Sequence, residues 1–575
     1  SKSWLGSLWD AHSATQAHPL GDEHSLPRPS FLTQPPTFIR SRRQKMVLKD
    51  NGRRSSLTQK RFSQQFEKGQ SVADGCGLQN NAFQSTPPSP TSTRVPTAQF
   101  PVFHTSGDTA GARRRLYLTV VAAYMASMSF GITCTYSSPA LPDIRKNIHF
   151  TENDTGWFGS LVTLGAVFGG LLGGQLLNWL GRRGTLLFSA VWFTAGYLFI
   201  IFGPTTIQLF VGRFLTGVGM GMVALAVPVF ISEICPANVR GLLNTGGNMV
   251  LTVGILITFV LGKWLDYKWL AICSLAPSIA MAATLPWSKE SPRWLLQKGR
   301  RKAATEALQF YLGTGIEKEL ETLEASISNN VEAFSLRDLT LPHVYKPFLC
   351  TLLPMFMQQF SAVCIILFFA NDIFAAAGTS ISPEDCTIII GAIQVAVLFV
   401  ATLLTDRLGR KVLLLFSSAV ASLSLTLLGL CFHFKKVQGD SFLESYGWLP
   451  LAALSVYFVG YSSGLGPLPW VLLGEMLPLR VKGFATGICT AFCFGCGFLV
   501  VKEYHDMQQL MGTDGTYWMF AVVVAACFFV VLFFVPETKG RSLEDIERIF
   551  GNTTSSVSSE DTDRRNGVAM DLLRA

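Results

Sequence analysis

Ser232-Glu-Ile-Cys-Pro-Ala-Asn-Val-Arg-Gly241 is written a second time in the same chain, as Gly474-Glu-Met-Leu-Pro-Leu-Arg-Val-Lys-Gly483. Both copies read E-x-x-P-x-x-V-[R/K]-G, and each follows a long apolar run. Each therefore sets a carboxylate, a helix-stopping proline and a cation where a membrane helix would emerge into water. Two further pairs keep the order: Asn178-Trp-Leu-Gly-Arg-Arg183 against Asp406-Arg-Leu-Gly-Arg-Lys411, and Lys289-Glu-Ser-Pro-Arg293 against Pro536-Glu-Thr-Lys-Gly-Arg541. The chain reads as two similar halves, each carrying three charged elements in the same sequence.

Composition agrees with a membrane location. Of 575 residues, 49% are hydrophobic and only 15% charged, against about 25% charged in soluble chains. The net charge of +9 sits in short loops and tails between apolar runs, which fits positive-inside topology and excludes a nucleic-acid binder. Most of the twelve cysteines fall inside apolar runs, where a thiol behaves as a small hydrophobe. Neither a disulfide framework nor a CxxC metal site is expected, and no nucleophile, cofactor motif or phosphate loop suggests an enzyme.

Residues 1–112 are rich in Ser, Pro, Gln and Arg without periodicity and read as a disordered tail without a signal peptide; 551–575 read as another tail. Between them lie twelve apolar windows near the ~20 residues that cross a bilayer, at 116–138, 157–178, 185–203, 207–232, 243–262, 269–287, 347–370, 387–405, 412–434, 449–473, 484–502 and 517–535. The polar segment 288–346 divides them six and six, its ESPRWLLQKGRRKAATEALQFYL reading as a surface helix on the bilayer. The domains expected are a bundle over 113–287, a helical linker over 288–346 and a second bundle with its end over 347–550. Cation placement predicts cytoplasmic termini and linker. In the tenth window Gly464-Leu-Gly-Pro-Leu-Pro469 breaks the helix at membrane depth, which is tolerated only where backbone is buried or lines a cavity.

These motifs together resemble the sugar porter family of the major facilitator superfamily, specifically the facilitative hexose transporters and, among them, the intracellular-type (class III) members. The resemblance covers roughly 113–550. It rests on GxxxNxxGRR at 174–183, RxxxGxG at 213–219, PVFISEICPANVRG at 228–241, ESPRWL at 290–295, QQxS at 358–361, DRLGRK at 406–411, GPLPW at 466–470 and VPETKGR at 535–541. It implies an all-α polytopic fold with twelve transmembrane helices in two six-helix bundles, and a midplane sugar site exposed alternately to each side. The charged repeats, Arg182, Arg183, Glu233, Arg240, Glu290 and Arg293 with Arg410, Glu475, Lys482 and Glu537, would then form a cytoplasmic network holding the bundles together when the site faces outward.

Sugar recognition needs polar side chains that bond hydroxyls and an aromatic face for the ring. Gln358, Gln359, Gln394, Asn248 and Trp470 are the candidates, since polar groups in a lipid-spanning helix are expensive unless they face a cavity or partner helix. Where the family pattern runs Q-Q-x-S-G-x-N, this chain has Ala362 and Cys364. The family's Asn-Trp pair in the eleventh span appears as Cys493-Phe494. Each lost hydrogen-bonding group costs about 1–3 kcal/mol if its sugar hydroxyl stays buried and unpaired, so a less polar or larger solute than a hexose is one expectation.

Proton-coupled relatives carry an acid in the first span just after a Phe-Gly pair; here Phe130-Gly131 is followed by Ile132 and Thr133, leaving Arg213 without that partner. The functional expectation is facilitative uniport of a hexose or related sugar or polyol, without cofactor, by a monomer embedded in lipid. A proton-coupled symporter and a non-transporting sensor on the same scaffold are the alternatives. The plasma membrane is preferred over an endosomal or lysosomal one.

Overall fold

The computed structural model describes residues 109–328, 342–477 and 482–539, and among them every regular element is helical. The first half comprises α1 (Thr109–Thr135), α2 (Ser137–Asn147), α3 (Glu152–Trp179), α4 (Gly181–Phe202), α5 (Thr206–Ile234), α6 (Ala237–Gly262) and α7 (Tyr267–Thr284). Helices α3 and α5 both begin with a capping box: Thr151 with Asp154, and Thr205 with Gln208, each exchange side-chain and backbone hydrogen bonds. Asn153, the first residue of a possible glycosylation sequon, lies in the opening turn of α3.

The linker is three short helices, α8 (Pro292–Gln297), α9 (Arg301–Leu312) and α10 (Glu317–Ser328), where one surface helix was expected. Gly299 and Gly313 take positive φ after α8 and α9, and Gly315 takes it just before α10. Trp294 Nε1 donates to the Asn178 carbonyl (3.0 Å) and Arg115 Nε to the Phe310 carbonyl (3.0 Å), tying the linker to the first half.

The second half runs through α11 (Pro342–Phe360), α12 (Val363–Phe368), α13 (Ala370–Ala377), α14 (Pro383–Leu408), α15 (Arg410–Gln438), α16 (Asp440–Tyr446), α17 (Leu449–Ser463), α18 (Leu468–Met476), α19 (Lys482–Lys502) and α20 (Tyr504–Phe534). Eleven helical stretches among the described residues are long and apolar enough to cross a bilayer, α17 and α18 counting together. The remaining span, the seventh, expected as one helix over 347–370, is instead broken between α11 and α12. Ala362 is the cause, with φ +66 in the left-handed region. Such backbone costs an L-residue about 1–2 kcal/mol, and the carbonyl of Ser361 beside it is satisfied by the Tyr457 hydroxyl at 2.8 Å.

Small residues set how closely the helices pack. A Cβ on Gly165 would lie 2.1 Å from the Phe214 carbonyl oxygen, and one on Gly217 2.1 Å from that of Val162, so α3 and α5 touch backbone to backbone. Between halves, α3 packs on α19 and α6 on α14. Large apolar side chains such as Phe202, Leu423 and Phe533 are exposed on the outside, which suits hydrocarbon and not water.

Candidate functional site

Two charged modules sit at corresponding places in the halves. In the first, Gly181 takes φ +85 to begin α4, and the Glu290 carboxylate lies against it, accepting from the backbone N–H of Arg182 (2.9 Å) and Arg183 (3.1 Å). Arg182 Nε in turn meets Glu233 at 2.7 Å, and the Ser291 hydroxyl donates to the same carboxylate. In the second, Gly409 takes φ +94 to begin α15, and Glu537 accepts from the N–H of Arg410 (3.0 Å) and Lys411 (3.0 Å). Arg410 meets Glu475 at 3.2 Å, and the Thr538 hydroxyl donates to Glu475 at 2.8 Å. Glu290 and Glu537 each occupy the positive end of a helix, where unpaired N–H groups and the dipole both favour an anion.

The electrostatics follow from that placement. Burial works against the Glu537 charge, but the surrounding backbone N–H groups outweigh it and hold its carboxyl below its ordinary value. Arg182 and Glu233 are nearly buried, at 8% and 11% side-chain exposure, so removing one partner costs about 3–5 kcal/mol.

The sequence led us to expect these charges to hold the bundles together when the site faces outward; in the present state, Arg182–Glu233 and Arg410–Glu475 each join two helices of one half. The reason is local: each arginine opens the helix whose neighbour ends at the glutamate. Arg183 donates to the Ser288 carbonyl and Arg240 to that of Cys235 (3.3 Å), both also within the first half. Arg293 is half-buried on α8, and its side chain makes no hydrogen bond or ion pair with the described residues. The side chain of Lys482 lies outside the described residues.

Ion pairs that do cross between halves lie at the opposite end of the helices and were not anticipated. Arg145, ending α2, holds Asp372 of α13 in a two-pronged pair at 3.0 and 2.9 Å. Lys263, after α6, pairs with Asp385 at the start of α14. The Asn371 N–H donates to the Ser138 hydroxyl at 3.1 Å beside them. Opposite charges flanking spans 1 and 7, and 5 and 8, were the available signal.

At membrane depth two of the polar candidates, Gln358 and Gln359, lie beside the helix breaks. Gln358 Nε2 donates to the carbonyls of Leu465 (2.9 Å) and Gly466 (2.8 Å), which the break between α17 and α18 leaves without helical partners. Gln358 thus holds the break open, and both of its N–H groups are committed there. Gln359 lies between two thiols, with Nε2 3.1 Å from Cys493 Sγ and Oε1 3.0 Å from Cys364 Sγ. Phe494 stands between Trp470 (6.2 Å between ring centroids) and Phe130 of the first half (6.3 Å), an aromatic bridge across the seam. Gln394 on α14 is 6% exposed, and its buried Oε1 has no hydrogen-bond partner. Asn248 on α6 is half-buried, its carbonyl taking the Thr252 hydroxyl.

Two more polar atoms share this unsatisfied character. Asn244 Oδ1 and Ser462 Oγ are buried without hydrogen-bond partners among the described residues, so each has capacity to spare for a ligand or a water. The spacing Asn244, Asn248 puts both on one face of α6, a signal present in the sequence but overlooked. Arg213 on α5 is fully buried and donates to the Thr133 carbonyl (3.2 Å), the Ser137 hydroxyl (2.8 Å) and the Phe158 carbonyl (3.4 Å). It also faces the rings of Phe158 and Tyr136, and no carboxylate among the described residues pairs with it.

Comparison with known proteins places this geometry. The family model described as "Sugar (and other) transporter" matches residues 113–550. Proteins named facilitated trehalose transporter Tret1 are similar: 38% identity in Polypedilum vanderplanki and 35% in Apis mellifera ligustica, each over 77% of this chain and 89% of the relative. Among solved structures, the proton:xylose symporter XylE bound to 6-bromo-6-deoxy-D-glucose aligns with a TM-score of 0.64 at 20% identity, over 76% of this chain and 99% of that one. An inward-open form of XylE from E. coli aligns with the same TM-score at 21% identity over equal shares. At that identity the likeness concerns the fold, which is the twelve-span, two-bundle arrangement of the major facilitator superfamily. The chain is a multi-pass membrane protein of the Sugar (and other) transporter family.

Proposed function

We propose that this chain equilibrates a neutral sugar across a membrane by alternating access, as a uniporter. The observation that carries the uniport reading is Arg213: backbone carbonyls, a hydroxyl and aromatic faces surround it, and among the described residues no carboxylate pairs with it to offer a proton-binding site. Two amides, an aromatic bridge and unpaired polar atoms on the membrane-spanning helices supply what a sugar requires. Thiols and phenyl rings around Gln359 favour a solute less polar or larger than a hexose. The relatives' name makes the disaccharide trehalose the first candidate and hexoses the second.

The cross-half pairs at Arg145 and Lys263 support a state closed at that end, with Arg293 available to meet the other half when the cycle reverses. We infer from positive-inside placement that the Arg182 end and both termini are cytoplasmic, and take the plasma membrane as the site of action. We infer a monomer with bundles over 113–287 and 347–550.

The test is uptake of labelled trehalose and glucose by liposomes containing the purified chain. Uptake should level off at equal concentrations, ignore an imposed pH gradient and vanish in Gln359→Ala. Accumulation driven by a proton gradient would overturn uniport.

A further inference from the structure

Four side-chain groups and a helix break form one directed chain of hydrogen bonds. Its direction is fixed at one end, because the carbonyls of Leu465 and Gly466 can only accept and so require both N–H groups of Gln358. Gln358 Oε1 then faces the Cys493 thiol at 3.6 Å, which must donate its single hydrogen there. Having given that hydrogen, the Cys493 sulfur can only accept from its other neighbour, and Gln359 Nε2 stands 3.1 Å away. With Nε2 turned to Cys493, Gln359 presents Oε1 to the Cys364 thiol, which donates at 3.0 Å. Cys493 is fully buried and Cys364 partly so. Space for the amide comes from Gly497, one turn along α19, where a Cβ would lie 3.0 Å from Gln359 Oε1.

We propose that Cys493 and Cys364 are positioning residues for the sugar site, through which the break in the tenth span dictates which way the Gln359 carboxamide points. So held, Gln359 keeps one N–H and one oxygen lone pair free, a donor and an acceptor side by side that match two adjacent hydroxyls of a sugar. The inference rests on the carrier reading above and assigns the two thiols a role in specificity. A thiol bonds more weakly than a hydroxyl or an amide, so the orientation is set by links weak enough to yield when the helices around the break shift.

The experiment measures KM and kcat for the sugar that the full-length wild type carries in liposomes, alongside binding of trehalose and glucose by thermal shift. Cys493→Ala strands a Gln359 N–H and Gln358 Oε1, and KM should rise about tenfold, the equivalent of roughly one neutral hydrogen bond, with kcat within about twofold. Cys493→Ser keeps one group that donates and accepts, and should bring KM back to within about threefold of wild type. Gly497→Ala, which presses on Gln359 Oε1 and leaves the thiols untouched, should reproduce the rise. Alanine and serine variants that behave alike, or a fall in kcat at unchanged KM, would overturn the proposal and reduce Cys493 to packing. A wild type that is stabilised by a sugar but does not carry it would sink the carrier reading alone. Equal stabilisation of wild type and Cys493→Ala would sink the relay alone, and a wild type that neither binds nor carries either sugar would end both.

Discussion

Breaking the Arg145–Asp372 pair should shift the carrier away from the state seen here. The pair crosses between halves with two parallel hydrogen bonds at 3.0 and 2.9 Å, and its side chains are about one-third exposed at 36% and 30%. Fully exposed pairs contribute about 0–1 kcal/mol, and the two-pronged geometry places this one near the top of that range, about 1 kcal/mol after screening. Because the pair forms only when this end is closed, Arg145→Ala should lower the ratio of closed to open by about fivefold. Spin labels at the exposed positions Lys146 and Ser380 would report the separation of the halves there. The open population should grow in Arg145→Ala and return when Arg145→Asp is combined with Asp372→Arg. Raising salt from 0.1 to 1 M shortens the Debye length from about 10 to about 3 Å, so wild type should drift toward the variant. A distance distribution unchanged by both mutation and salt would refute the assignment of this pair as a latch.

Three further outcomes concern stability. Since the folded state depresses Glu537 below its ordinary 4.5, its stabilisation is complete above that value and is lost as pH falls through the lower folded value; Glu537→Gln should melt earlier near neutral pH and lose less on acidification, as read by thermal unfolding. Gly409→Ala forces φ +94 on an L-residue and sets a Cβ 2.8 Å from Glu537 Oε2, a loss of about 2 kcal/mol or more, whereas Gly174→Ala, a helical site with open space around it, should be neutral or gain up to about 1 kcal/mol. Ala362→Gly removes left-handed strain and should raise the melting temperature modestly, by about 0.5 kcal/mol net of glycine's greater freedom in the unfolded chain, and Ala362→Val should lower it.

The helices and their pairing into two halves were legible in the sequence because bilayer thickness fixes span length and lipid fixes composition. Both quantities can be read residue by residue. The repeated E-x-x-P-x-x-V-[R/K]-G, GRR/GRK and PET/ESP motifs showed which charges recur, and the break after Gly464 announced itself through glycine and proline. What those charges touch was decided by tertiary structure alone. Arg182 meets Glu233 because α4 begins where its neighbour α5 ends, while the pairs that cross the seam, at Arg145 and Lys263, carry no shared motif. The break at Ala362 was likewise hidden, since alanine is a good helix former and takes left-handed backbone here beside a Ser361 carbonyl held by the distant Tyr457. Cys364 and Cys493 looked in sequence like lost polar groups. Folding brings them to either side of Gln359 from separate helices, and a hydrogen bond depends on direction and on distances of a few ångströms, which linear order does not encode.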